Sequence, residues 1–185
     1  MKITRTSLHD VLLVEPRVFK DARGHFLESY NRAAFAAATG LDVDFVQDNQ
    51  SSSGRGVLRG LHYQINQPQG KLVRVTEGAI FDVAVDLRSA SPTFGRWVGA
   101  ELSADNFRQI WVPPGFAHGF LVLGESATVL YKTTDYYAPA HERCLLWNDA
   151  QVGIAWPLQG TSPQLSAKDL AGASLAQAER FDGPY

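Results

Sequence analysis

A chain of 185 residues matches a single domain at roughly 150 residues per domain; 45% of its residues are apolar, enough to bury a real core. Seventeen basic against nineteen acidic residues leave a net charge of -2 with no basic stripe, which speaks against nucleic acid as a partner, and the lone Cys144 excludes an internal disulfide framework. Met1 to Glu15 holds only the short apolar run Val11 to Val14, and nothing approaches the ~18 apolar residues of a membrane span, so no membrane partner and a cytoplasmic location are expected.

The predicted elements begin with strands at Val11 to Phe19 and Phe26 to Tyr30, then a helix from Arg32 to Thr39 stopped by Gly40. Strands Phe45 to Asn49 and Val57 to Gln64 follow, separated by the turn-like Ser51-Ser52-Ser53-Gly54. Lys71 to Thr76 and Phe81 to Leu87 are expected to form a hairpin across Glu77-Gly78. In its second arm Phe81, Val83, Val85 and Leu87 alternate with Asp82, Ala84 and Asp86, the period of a strand with one buried face. Further strands are expected at Gly95 to Leu102, Gln109 to Val112, Gly119 to Leu123, Thr128 to Thr134 and Cys144 to Trp147. Pro92, Pro113-Pro114-Gly115 and Gly124-Glu125 supply breaks between them. Helical signal returns only after Ser166, where residues 166–185 form a small C-terminal tail weakened by Gly172. Many short strands at this spacing imply one all-β domain, a sandwich, jelly roll or barrel.

Several catalytic motifs fail. Gly54 to Gly60 is one residue too long for a dinucleotide fingerprint and runs into a strand rather than a helix. His141-Glu142 lacks the second histidine of a zinc-protease helix, and neither a P-loop nor a Gly-x-Ser-x-Gly elbow occurs. Two patterns survive: Gly60-Leu61-His62-Tyr63-Gln64, followed by Lys71, and Pro113-Pro114-Gly115-Phe116-Ala117-His118. Together they resemble the two motifs of the cupin superfamily, which implies a jelly-roll barrel. Where metal-binding cupins carry His-x-His and a glutamate, this chain has Gln64 and no Glu before Lys71. Two histidines fall short of the three or four protein ligands of a stable site, so no metal is expected.

A closer resemblance runs from about Arg17 to Asp169. Asp21-Ala22-Arg23-Gly24-His25-Phe26-Leu27-Glu28, Gln47-Asp48-Asn49, Gly56 to Gln64, Lys71-Leu72-Val73, Phe81-Asp82-Val83, Ser91 to Gly95, Gly115 to Phe120, Tyr131-Lys132 and Leu165 to Asp169 stand in order. This set resembles the dTDP-4-dehydrorhamnose 3,5-epimerase family. The resemblance implies inversion of C3 and C5 of dTDP-4-keto-6-deoxyglucose without metal or nicotinamide, in dTDP-L-rhamnose synthesis. It also implies a homodimer, in which the N-terminal segment is expected to cross to its partner.

The residues suit that chemistry. Removing a proton beside a ketone needs a base, a cation for the enolate oxygen and an acid on the opposite face. His62 can take a proton at neutral pH, and the resemblance pairs it with Asp169. Lys71 offers the cation and Tyr131 a phenolic proton. Asp169 also fits a capping box, Ser166-x-x-Asp169, at the start of the tail helix. For binding, the resemblance implies Arg23, Arg59 and Lys168 for the diphosphate, with Gln47, Asp48 and Asn49 at the nucleotide. Glu28 and Glu142 would hold the ligand, His118 would lie beside the sugar, and Tyr137 would stack on thymine with Tyr136 as its competitor. Arg59 and His62 are three apart on one strand and would face opposite ways unless a bulge at Gly60 intervenes. Alternatives are a single-carbon epimerase or ketoisomerase, a silent nucleotide-sugar-binding cupin and a metal-dependent oxygenase.

Overall fold

A computed structural model describes residues 1–183. Its spine is an antiparallel pair of two long strands, β7 (Lys71–Asp86) and β10 (Phe116–Thr133). Each half of this pair recruits different neighbours. β7 meets β9 (Gln109–Val112) along its first half and β8 (Trp97–Ser103) along its second. β10 meets β6 (Leu58–Gln64) along its first half and β5 (Gln47–Gly54) along its second. β1 (Lys2–Arg5) and β2 (Leu12–Glu15) extend the β9 edge, and β11 (Glu142–Cys144) extends the β6 edge. The β7–β10 register shifts between Val122 and Ala127 and again at Thr128 and Val129. Such bulges bend the ladder, and the all-antiparallel sheet belongs to the jelly-roll type expected.

The hairpin expected at Glu77-Gly78 is instead unbroken strand inside β7, its two residues paired with Thr128 and Ala127 between two register shifts. A Cβ on Gly78 would sit 1.9 Å from the Ser126 carbonyl oxygen, and its φ is +73°. Glycine there serves a close approach of two strands, not a reversal. Gly119 to Leu123 and Thr128 to Thr134 merge in the same way across Gly124-Glu125. The serine run at 51–53 is strand too, because its backbone pairs with residues 127–129 of β10. Val11 to Phe19 divides into β2 and β3 (Val18–Asp21) at Pro16, which has no N–H to donate. β3 pairs only with β4 (Gly24–Leu27), shorter and earlier than the strand expected at Phe26 to Tyr30. Glu142–Cys144 replaces the strand expected at Cys144 to Trp147. β1, with Lys2 and Arg5 at its ends, carries too little apolar pattern to announce itself.

The face assignment of β7 needs one correction. Asp82 and Asp86 are fully buried, not solvent-facing. Ile80 and Ala84 pack inward with Phe116, Phe120 and Val122, while Val83, Val85 and Leu87 on the opposite face lie under Leu175, Ala178 and Phe181 of the tail. The tail covers the face that period-two alternation assigns to one core, so both faces are dry. It does this mostly with turns and isolated bridges; its helix is one turn, α2 (Ala167–Leu170).

α1 (Arg32–Thr39) lies where expected. The Asn31 side chain accepts the Ala34 N–H at 3.0 Å, and Gly40 closes the helix at φ +77°. Its one buried residue, Phe35, packs edge-on against Trp111 with ring centroids 5.8 Å apart. Burying such a ring stabilises by ~1.5–3 kcal/mol, enough to dock a two-turn helix. Among the described residues no helix is long and apolar enough to cross a membrane.

Candidate active site

The site begins at a bulge in β6. In the β6–β10 register His62 lies opposite His118 and Arg59 opposite Phe120, so Gly60 and Leu61 together face Gly119. The backbones nearly touch there: a Cβ on Gly60 would stand 2.6 Å from Gly119 Cα, and one on Gly119 2.5 Å from the Arg59 oxygen. Only glycine fits at either position. The extra residue turns Arg59 and His62 toward one cleft, as the bulge expected at Gly60 requires.

Seven of the predicted site residues line that cleft of about 180 Å³. His62, Lys71 and Tyr131 occupy it together with Arg59 and His118, and Tyr137 and Glu142 stand on its rim. His62 Nε2 lies 2.7 Å from Asp169 Oδ1, an ion-pair contact in which the ring N–H is not aligned on the oxygen. Asp169 is buried, and its cap and its histidine use different oxygens. Ser166 donates from N and Oγ to Oδ2 at 3.2 and 2.7 Å, and the Gly60 N–H donates to Oδ1 at 3.1 Å. The capping box therefore forms and holds the carboxylate against His62 as well. Burial pushes the Asp169 pKa up, but His62, Ser166 and Gly60 outweigh it and bring the group down to about 2.

Lys71 opens β7, and its Nζ donates to the His62 carbonyl oxygen at 3.3 Å. Burial brings its ammonium down to about 8, with Asp82 and Glu142 pulling the other way. Tyr131, half-buried on β10, is held above the ordinary phenol value by burial, against the nearby Arg59. His118 Nε2 sits 2.9 and 3.0 Å from the two oxygens of the buried Asp82, a second histidine–carboxylate pair. The alternation places Asp82 on the outward face, and its block, Phe81-Asp82-Val83, enters only as part of the family resemblance.

The rim is an ordered set of polar contacts. Tyr137 donates from its hydroxyl to Glu142 Oε2 at 2.7 Å, and Lys168 Nζ reaches the same oxygen at 2.6 Å. Burial pushes the Glu142 carboxyl up, but these two contacts outweigh it and hold it below its ordinary value. Gln47 accepts the Tyr137 N–H at 3.0 Å and donates to Asn49 at 2.9 Å. Gln64, which sequence reasoning treated only as a missing ligand, donates to the Gln67 and Tyr136 oxygens and accepts the Ala138 N–H at 2.8 Å. Two glutamines thus clamp the Tyr136–Ala138 segment. Of the competing tyrosines, Tyr137 lines the cleft.

Three predicted residues stand elsewhere. Asp48 points to the opposite face of β5 from Gln47 and Asn49 and pairs with Lys132 at 2.9 Å. Arg23 is 90% exposed at the β3–β4 turn, bound to Asp21, and Glu28 accepts from Asn31.

A cupin-type metal does not suit these residues. His118 turns Nε2 to Asp82, away from His62, and both polar atoms of Gln64 are committed to backbone.

The family model described as dTDP-4-dehydrorhamnose 3,5-epimerase matches residues 5–177. A protein of that name from Pseudomonas aeruginosa is 64% identical over 98% of this chain and 99% of its own. One from Salmonella typhimurium is 55% identical over 96% and 97%. A crystal structure of dTDP-6-deoxy-D-glucose-3,5-epimerase from Legionella pneumophila, in complex with dTDP-4-keto-L-rhamnose, superposes with a TM-score of 0.96 at 47% identity, covering 100% of this chain and 99% of that one.

Proposed function

The chain belongs to the dTDP-4-dehydrorhamnose 3,5-epimerase family, and from that membership we propose that it inverts C3 and C5 of dTDP-4-keto-6-deoxyglucose to give dTDP-4-keto-L-rhamnose. The reaction serves dTDP-L-rhamnose synthesis, and its place is the cytoplasm. His62 takes the proton from the carbon beside the C4 ketone, and the C–H electron pair moves onto the C4 oxygen as an enolate. Asp169, charged down to about pH 2, stabilises the imidazolium that forms. Lys71 faces the enolate oxygen; in a site with little water its charge acts through a low effective dielectric. Tyr131, whose proton burial helps retain, delivers a proton to the carbon from the other side. Solvent then restores the phenol, and a second cycle inverts the second carbon. No atom is gained or lost, and no redox partner is needed.

Arg59 faces the diphosphate, whose oxygens suit its planar fork. Tyr137, held by Gln47 and Gln64, stacks on the thymine, with Glu142 and Lys168 fixing its hydroxyl end. The protein acts as a homodimer. Arg23 and Glu28 lie outside the cleft of their own chain, and the β3–β4 pair carries Phe19 and Phe26 exposed by 50% and 69%. These residues complete the partner's cleft.

The observation that carries the proposal is the convergence of His62–Asp169, Lys71 and Tyr131 on one cleft in a chain of this family. The test is incubation with dTDP-4-keto-6-deoxyglucose in deuterated water, followed by NMR of the product. Deuterium at both C3 and C5 of an L-rhamno-configured sugar is expected. Label at one carbon alone would make the protein a single-carbon epimerase, and no label would end the proposal.

A further inference from the structure

One cluster beside the cleft, sharing His62 with it, has a member that the reaction does not use. The β6–β11 register sets Cys144 directly opposite His62. The ligand atoms of His62, Cys144 and Asp169 all lie within 4.8 Å of one another. We infer that these three residues form a site for a thiophilic divalent cation, Zn²⁺ in the first instance, and that filling it switches the enzyme off by occupying its base. The inhibitory part rests on the role of His62 proposed above; the site itself does not.

Four observations support the site. The donor set, imidazole, thiolate and carboxylate, is the kind that zinc takes in preference to magnesium or calcium. Ordinary zinc bond lengths place tetrahedral ligand atoms about 3.3–3.6 Å apart, so closing the cluster takes shifts of about an ångström. His62 Nε2 already stands 2.7 Å from Asp169 Oδ1 with its N–H off that oxygen, and Cys144 Sγ makes a weak contact of 3.6 Å with the Leu145 oxygen. Asp169 is already oriented by Ser166 and Gly60, the outer-shell support that metal carboxylates use.

Binding displaces the thiol proton of Cys144 to solvent, giving Cys–S–Zn⁺ and one H⁺. The fourth coordination position is left to water. His118 takes no part, because its Nε2 is held by Asp82, so this arrangement differs from a two-histidine cupin site.

The test uses the purified full-length protein. Zn²⁺ is titrated into the epimerase assay, and Co²⁺ is titrated separately while the near-ultraviolet thiolate-to-cobalt charge-transfer band is followed. Expected are inhibition at one Zn²⁺ per chain, reversal by chelator, no effect of Mg²⁺, and a cobalt band. Cys144→Ala should keep its activity, lose the band and need at least ten-fold more Zn²⁺ for the same inhibition. Cys144→Val, which fills the space without a donor, should behave alike. Equal zinc sensitivity in wild type and both variants, or no cobalt band in the wild type, overturns the site. A Cys144-dependent band without inhibition would uphold the site and refute His62 as the base.

Discussion

Lys71 is 8% exposed, and burial brings its pKa to about 8. Its ammonium is the form that stabilises an enolate, so kcat/KM, which reports the free enzyme, should fall as pH rises through about 8. Lys71→Arg keeps the charge at all these pH values and should move that basic limb upward, whatever it costs in rate. A wild-type profile still flat well above this range would contradict the assignment. Asp169 shows the opposite sign. Its carboxyl falls from 3.8 to about 2 on folding, a contribution of about 2 kcal/mol that is complete above the unfolded value and is lost as pH falls through the folded one. Asp169→Asn should therefore flatten the acid limb of a denaturation profile between those values, and an unchanged limb would argue against the pair. His62, Lys71 and Tyr131, which the structure brings to one cleft, were legible in the sequence because each lies in a block whose order is distinctive. Asp82 was not, since a carboxylate facing the interior of a barrel has the same period as one facing water. Gln64 was noticed for the ligand it is not, and the loop it clamps lies about 70 positions away in the chain, beyond any local pattern.

At the scale of elements, the bulge of β6 aims the site and a pair of glycines makes the bulge possible. Gly119→Ala would drive a methyl group to 2.5 Å from the Arg59 oxygen. Overpacking of this kind costs about 1–3 kcal/mol, or ~2–4 °C in Tm per kcal/mol for a chain of this size. It should also lower kcat, because β6 carries both Arg59 and His62. Gly124→Ala is the control, with no atom nearer than 4.0 Å, and should leave both quantities unchanged. Loss of stability without loss of turnover in Gly119→Ala would separate the bulge from catalysis. The bulge at Gly60 was readable from the clash between strand parity and a shared cleft. The length of β7 and β10 was not, because Glu77-Gly78 and Gly124-Glu125 have turn composition and only the opposing strand reveals that no reversal occurs. The serines of β5 misled for the same reason: pairing with β10, not propensity, makes them strand.

At the scale of the whole molecule, the tail and the β3–β4 hairpin differ: one packs on the core, the other pairs only with itself. The tail seals the outer face of β7 with Leu175, Ala178 and Phe181. Its covering role was hidden because turns and single bridges leave no periodicity to read. Arg23, at the turn of the β3–β4 pair, does not line its own cleft. If it serves the partner, inactive Arg23→Ala and His62→Ala chains should regain activity when mixed and refolded. Random assortment puts one intact site in half of the dimers, so about a quarter of the wild-type rate is expected; no recovery, or a fully active monomer, would contradict exchange. The division of labour between His62 and Tyr131 is the central claim, and solvent isotope exchange tests it most directly. In deuterated water Tyr131→Phe should still wash deuterium into the sugar with retained configuration, because His62 and Lys71 can form the enolate and return a deuteron to the same face. Epimerised product should fall by ~10²–10⁴-fold, the range for a lost general acid. His62→Ala should lose exchange and product together. Tyr131→Phe epimerising at the wild-type rate, or His62→Ala still exchanging, would contradict the mechanism.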